Sequence, residues 1–255
     1  MIPDLGGERE SLQKKPLKEE VFELLHKRIV AGKYSPGEWL RQEDIASQLG
    51  VSQTPVREAL DRLVSVGLAE RVPYRGVRVP EPTQAQIVDA YVMRLLLEKV
   101  AARLAAHHII REQLEGLGEI VEATRGLITL DDMSKLRQLN RRFHLSIADA
   151  SGSSLLNKLY EMTSNLFPDW MLYEYMFRHP ELLQSSLEKE YQEHKAIVDA
   201  LAAHDAGLTA QRAFEHVQNL GYELVAFLGI PGDLVHAQER QVFPEFHSKI
   251  VNHQA

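Results

Sequence analysis

The chain has 255 residues, long enough for two domains with separate cores, and its 44% hydrophobic and 25% charged content is that of a water-soluble globular protein. It contains no cysteine, which excludes disulfides and thiolate metal ligands, and no stretch approaches the roughly 18 consecutive apolar residues that span a bilayer. The formal net charge of −7 is unevenly placed: residues 1–80 carry 13 Lys and Arg against 12 acids, and the remainder carries 16 against 24.

In chain order, residues 1–15 are polar, include Gly6 and Gly7, and read as a flexible arm. The N-terminus has no apolar segment of the secretory kind, which points to the cytoplasm. Residues 17–31 predict a first helix with Val21, Leu24, Leu25, Ile29 and Val30 buried. Gly32, Ser35, Pro36 and Gly37 then form a turn. Residues 45–79 predict a short helix, a break at Gly50, a second helix and a basic hairpin. Ile45, Ala46 and Leu49 make an apolar stripe, and the Ser52 side chain is expected to cap the second helix. That helix turns Val56, Leu60, Leu63 and Val64 inward, leaving Ser52, Gln53, Thr54, Arg57 and Asp61 outside. Around Gly76, basic and apolar residues alternate, so Arg75 and Arg78 could reach phosphates from a two-stranded wing. Residues 16–80 thus predict a winged helix-turn-helix whose second helix enters a major groove, with Pro80 and Pro82 introducing a stiff linker at 81–83.

From residue 84 to 228 hardly a strand signal occurs. Helical stretches at about 84–110, 112–128, 131–151, 153–177, 180–204 and 208–228 predict an antiparallel six-helix bundle. The fold class is therefore mainly α, a winged helix-turn-helix followed by an all-α bundle. Residues 229–255 read as an extension, with a short helix near 234–240 and an irregular tail. Within the bundle, Asn140 and His144 are four apart and share a helix face, and His194 and His216 flank core positions on the last two helices. Three imidazoles and an amide oxygen could converge on a divalent metal. Taken singly, the 11 histidines are mostly ordinary, and His26, His107, His108, His179, His204, His236, His247 and His253 stay in that class.

The run from Gly32 to Gly37, then Leu40, Ile45, Ala46, Leu49 to Ser52, Thr54 to Leu60, Leu63, Gly67, Leu68, Arg75 and Gly76, closely resembles the DNA-binding domain of GntR-family transcription regulators. Arg94, Glu98, Asn140, His144, His194 and His216 resemble the all-helical FCD effector domain of its FadR subfamily. The resemblance implies double-stranded DNA contacts by Ser52, Gln53, Thr54, Arg57, Arg75 and Gly76, and a metal held by Asn140, His144, His194 and His216. The zinc, nickel or manganese class of ion is implied. It also implies Arg94 as anchor for a small organic acid effector, and a homodimeric repressor on a palindromic operator, with no membrane partner. Asn140 stands where the domain usually has aspartate, Gln53 where the reading helix usually has arginine, and Glu43 where a basic residue is common. Two rival readings are a metal-dependent hydrolase with an accessory DNA-binding domain, and a metal-free regulator with an organic effector.

Overall fold

The computed structural model describes residues 16–30, 32–129, 132–167 and 169–244. The expected N-terminal arm and the end of the C-terminal tail lie outside them. Helices α1 (Leu17–Val30), α2 (Gln42–Leu49) and α3 (Gln53–Ser65) precede strands β1 (Glu70–Val72) and β2 (Gly76–Arg78). The strands pair antiparallel, with Glu70 opposite Arg78 and Val72 opposite Gly76. Val21, Leu25 and Ile29 recur every fourth residue and close one core with Leu40, Ile45, Val56, Leu60, Leu63, Leu68 and Val77. Leu24 falls to the side of that stripe and is 36% exposed, whereas Phe22 packs against the core. Gly50 closes α2 at φ +64, a conformation that costs a glycine little. Ser52 occupies the N-cap of α3 with extended backbone, but its side chain makes no capping bond. The expected cap is therefore absent, and the first-turn N–H groups of α3 lack a side-chain partner at that position.

Eight further helices follow: α4 (Gln84–His108), α5 (Arg111–Glu122), α6 (Met133–Ala150), α7 (Ser154–Leu166), α8 (Asp169–Arg178), α9 (Pro180–Ala202), α10 (Ala206–Leu228) and α11 (Gly232–Val242). A reciprocal capping box between Thr83 and Gln86 starts α4. The stretch expected as one helix at 153–177 is two. Phe167, which precedes Pro168 in the sequence, is extended at φ −82 and ψ 122, as the clash with a following proline ring requires. Seven described helices, not six, thus lie between 84 and 228. The extension is more ordered than expected, because α11 buries Val235 and its Glu239 accepts a hydrogen bond from Tyr91 of α4 at 2.5 Å. Among the described residues no helix is long and apolar enough to cross a membrane.

The bundle is built on α4, which buries Val88, Tyr91, Leu95, Ala101, Ala102 and Ala105. Its closest neighbour is α10, where Gly221 lies against Tyr91, and a Cβ at Gly221 would sit 2.6 Å from Tyr91 Cζ. Tyr91 cannot swing aside without breaking its bond to Glu239. Gly221→Ala is therefore expected to cost about 1–3 kcal/mol through overpacking. Gly116→Ala, on α5 with open space at the Cβ position, should be neutral or slightly stabilising. Thermal unfolding of the two variants measures the difference.

The two units also touch beyond the linker. Asn165 of α7 donates to the Val66 carbonyl at the end of α3 at 2.6 Å, and Arg141 of α6 holds the Asn165 side-chain oxygen at 2.5 Å. Burial, reinforced by Arg141 and Arg62, pushes His26 of α1 down to about 4. One turn before Arg141, Arg137 is ion-paired with Asp169 at 2.7 Å.

Candidate functional sites: a reading groove and a three-histidine centre

In the head, Gln53, Thr54 and Arg57 are exposed along the first turns of α3. Gln53 and Arg57 border a groove of about 630 Å³ whose other walls include Trp39, Gln42, Glu43, Arg75 and Gly76. The groove thus gathers Gln53, Arg57, Arg75 and Gly76, while Ser52 and Thr54 lie beside it on the surface. Five arginines lie between residues 51 and 80, and ion pairs divide them. Arg62 is held by Glu19, Arg71 by Asp61, and Arg78 by Glu70 at 2.5 Å across the ladder. Arg78 is thus engaged on the wing itself, contrary to its expected reach to phosphate. Among the described residues Arg57 has no acidic partner, and the Arg75 guanidinium lies 5.0 Å from the Trp39 ring centre. Trp39, which bridges to Arg78 beside the wing, went unnoticed in the sequence because a lone aromatic in a turn carries no periodic signal. The Gln53 side-chain oxygen accepts from Gln42 at 3.0 Å, which fixes the amide and leaves its NH₂ group to face outward partners.

In the bundle, α6 contributes Asn140 and His144, α9 contributes His194, and α10 contributes His216. One ring nitrogen from each histidine lies within 4.8 Å of the others. His216 Nε2 is 3.2 Å from His194 Nε2 and 3.3 Å from His144 Nε2. On the far sides of the rings, His144 Nδ1 meets Glu98 at 2.9 Å and His216 Nδ1 meets Glu193 at 2.7 Å. Those carboxylates favour a proton on Nδ1 and leave the Nε2 lone pair pointing inward. His194 stacks on Phe143 with ring centres 4.1 Å apart. Asn140 Oδ1 is buried without a hydrogen-bond partner, and Asn140 and His216 line one cavity.

Charge state follows from burial and partners. Burial alone would raise Glu98, but His144 and Arg94 overcome it and hold the carboxyl well below the usual range. Burial lowers His144 and, well below its ordinary value, His194. His216 is raised, because its bond to Glu193 outweighs its own burial. Three converging imidazole nitrogens, two of them held in the neutral form by burial, with an orphaned amide oxygen, form a donor set suited to a divalent ion. Tetrahedral coordination at 2.0–2.1 Å separates ligand nitrogens by about 3.3 Å, close to the spacing seen.

Arg94 is buried, pairs with Glu98 at 2.8 Å and lies over the Phe167 ring. It also lines the cavity that adjoins Asn140 and His216, so an intrahelical pair and a cavity position coexist. Glu98 has both oxygens engaged, one by Arg94 and Tyr160 and the other by His144. It has no free oxygen to act as the general base that a metal-dependent hydrolase would need. Glu193, Tyr160 and Asn219 were missed in the sequence: each supports a partner 23 to 62 residues away, and no local spacing announces such pairs.

Known proteins resemble both parts of the chain. The profile of "Bacterial regulatory proteins, gntR family" matches residues 17–79, and that of the FCD domain matches residues 89–219. HTH-type transcriptional regulator McbR of Escherichia coli (strain K12) is 31% identical over 71% of this chain and 80% of its own. A Paenarthrobacter nicotinovorans protein described as "Probable D-xylose utilization operon transcriptional repressor" is 31% identical over 78% of this chain and 84% of its own. The solved structure of E. coli McbR/YncC superposes with a TM-score of 0.71 at 28% identity, covering 84% of this chain and 100% of that one. These relatives are regulators rather than enzymes, and the chain belongs to the GntR family of bacterial transcription regulators, with a gntR-type DNA-binding head and an FCD domain.

Proposed function

We propose that this regulator is a homodimeric repressor whose FCD domain holds a divalent ion on Asn140, His144, His194 and His216 and senses a small organic acid beside it. The observation that carries the reading is the convergence of three Nε2 atoms, two of them backed by carboxylates, next to an unpartnered Asn140 oxygen. The bound ion would supply a positive anchor for the acid, with Arg94 completing the cavity wall. In the head, Arg57, Gln53 and Thr54 would read bases, while Ser52, Arg75, Gly76 and the uncapped start of α3 would meet phosphates. An effector changes DNA affinity only by its differential affinity for two arrangements of the protein. One relative is described as a probable repressor of a utilisation operon, and repression is the sign of regulation favoured here. Its place of action would be the cytoplasm, with the chromosome.

Metal analysis of gently purified protein, combined with operator titration with and without chelator, tests the reading. About one ion per chain and chelator-sensitive effector binding are expected. A metal-free protein that binds DNA and an organic acid equally well would select the metal-free alternative.

The dimer has a candidate face. Met93 and Val100 on α4 and Leu155, Leu159 and Met162 on α7 are exposed, and each set recurs at helical spacing on two helices that pack together. Val100→Glu and Leu159→Glu are expected to weaken dimerisation at least tenfold in light scattering, against a native mass of twice the 29.0 kDa chain. Both heads would then engage a palindrome independently. A native monomer would remove the dimer from the proposal.

A further inference from the structure

The cavity beside the histidines is more acidic than a site for a plain carboxylate requires. Besides Arg94 and Lys189, it is lined by Asp169, Glu190, Glu193 and Glu223. Three of these acids already have partners: Arg137 pairs with Asp169, Tyr173 donates to Glu190 at 2.7 Å, and Asn219 and His216 hold the two oxygens of Glu193. Lys189 in turn lies 3.9 Å from Glu193. Glu223 has no hydrogen-bond or ion-pair partner among the described residues. What the cavity leaves unmatched is thus acceptor capacity: the Glu223 carboxyl, the second oxygen of Glu190 and Asn140 Oδ1, the last assigned to the metal.

We infer that the effector is a small amino acid, its carboxylate toward the metal and Arg94 and its ammonium group between Glu190 and Glu223. This rests on the cavity being the effector site. Glu190 is on α9 and Glu223 on α10, so one ammonium would bridge the two helices that also carry His194 and His216. An ammonium offers three donors and a full positive charge, whereas a hydroxyl offers one donor and leaves both acids uncompensated. Burial, strengthened by Glu190 and only partly offset by Lys189 and His216, pushes Glu223 up to about 7, the behaviour of crowded acids whose charge is incompletely matched. The cavity, at about 40 Å³, has room for roughly three waters, which limits the molecule to a few carbon atoms.

Matched three-carbon acids test this on the full-length, zinc-loaded protein by calorimetry. Alanine and β-alanine are compared with lactate, 3-hydroxypropionate and propionate. At least one amino acid should bind tenfold or more tightly than propionate, and Glu223→Gln should remove that preference, with propionate bound no more weakly than by the native protein. Equal or tighter binding of propionate or the hydroxy acids overturns the amine but keeps the cavity as an acid site. An amine preference that survives Glu223→Gln overturns the assignment to Glu223. No binding by any of the five at millimolar concentration overturns the effector-cavity reading together with this inference.

Discussion

Replacing His194 with glutamine is expected to strip the ion from the protein, from about one per chain to a trace in elemental analysis. Glutamine keeps much of the volume against Phe143, so the stack is disturbed less than by alanine. Loss of one of three imidazoles should weaken zinc binding more than the roughly 10- to 100-fold that follows loss of a supporting group. Glu193→Gln supplies that milder comparison, since Glu193 meets His216 through Nδ1, on the side of the ring away from the other histidines. The pH profile carries a sign. Metal and protons compete for the same lone pairs, so affinity falls as pH drops. His216, raised by Glu193, takes up its proton first, at or above the ordinary histidine range; His144 and His194, lowered by burial, compete only in more acid solution. Zinc affinity should therefore decline by about one proton per ion near neutrality and more steeply below. Retention of a full complement of ion by His194→Gln would overturn the three-histidine centre.

Arg57→Ala should weaken operator binding about 10- to 100-fold while leaving the fold intact. Arg57 is exposed on α3 and borders the groove, and among the described residues no acid neutralises it. Its loss removes either a base contact, worth about 1–3 kcal/mol with relaxed preference at one position, or a phosphate contact. The two outcomes separate in a salt titration of selected DNA: a phosphate contact lowers the salt slope by about one, and a base contact leaves it nearly unchanged. Arg78→Ala is the internal comparison. With its guanidinium committed to Glu70, it should affect binding much less. Undiminished affinity in Arg57→Ala would remove α3 as the reading helix.

The head was legible in the sequence because its signals are local. An apolar stripe, a left-handed Gly50, an outward polar helix start and a glycine-centred wing all lie within 35 residues of one another. Its errors were local too: Ser52 has the right backbone for a cap without the bond, and Arg78 was counted as free because the cross-strand register that pairs it with Glu70 was not visible. The histidine trio could be suspected from helix positions alone, but not brought together. His144 and His216 are 72 residues apart, and only the packing of α6, α9 and α10 brings them to 3.3 Å. The carboxylates that orient them, Glu98 and Glu193, look like ordinary surface acids in an amphipathic pattern. Likewise, the break between α7 and α8 was present in the sequence as Pro168, yet the apolar periodicity on either side suggested one continuous helix.

Helix α6 carries candidate ion ligands and interdomain contacts on adjoining residues. Asn140 lines the cavity beside the histidines, and its neighbour Arg141 grips Asn165, which in turn grips the carbonyl at the end of α3. Side-chain tips ride about 5–6 Å from a helix axis, so a roll of α6 by about 10° sweeps them through roughly 1 Å. Such a sweep would stretch the 2.5 Å link from Arg141 beyond hydrogen-bonding range. A helix rolled in this way would work as a camshaft, turning a shift at Asn140 into an open or closed latch at Val66 while its own core side chains Leu136, Phe143 and Ile147 move with it.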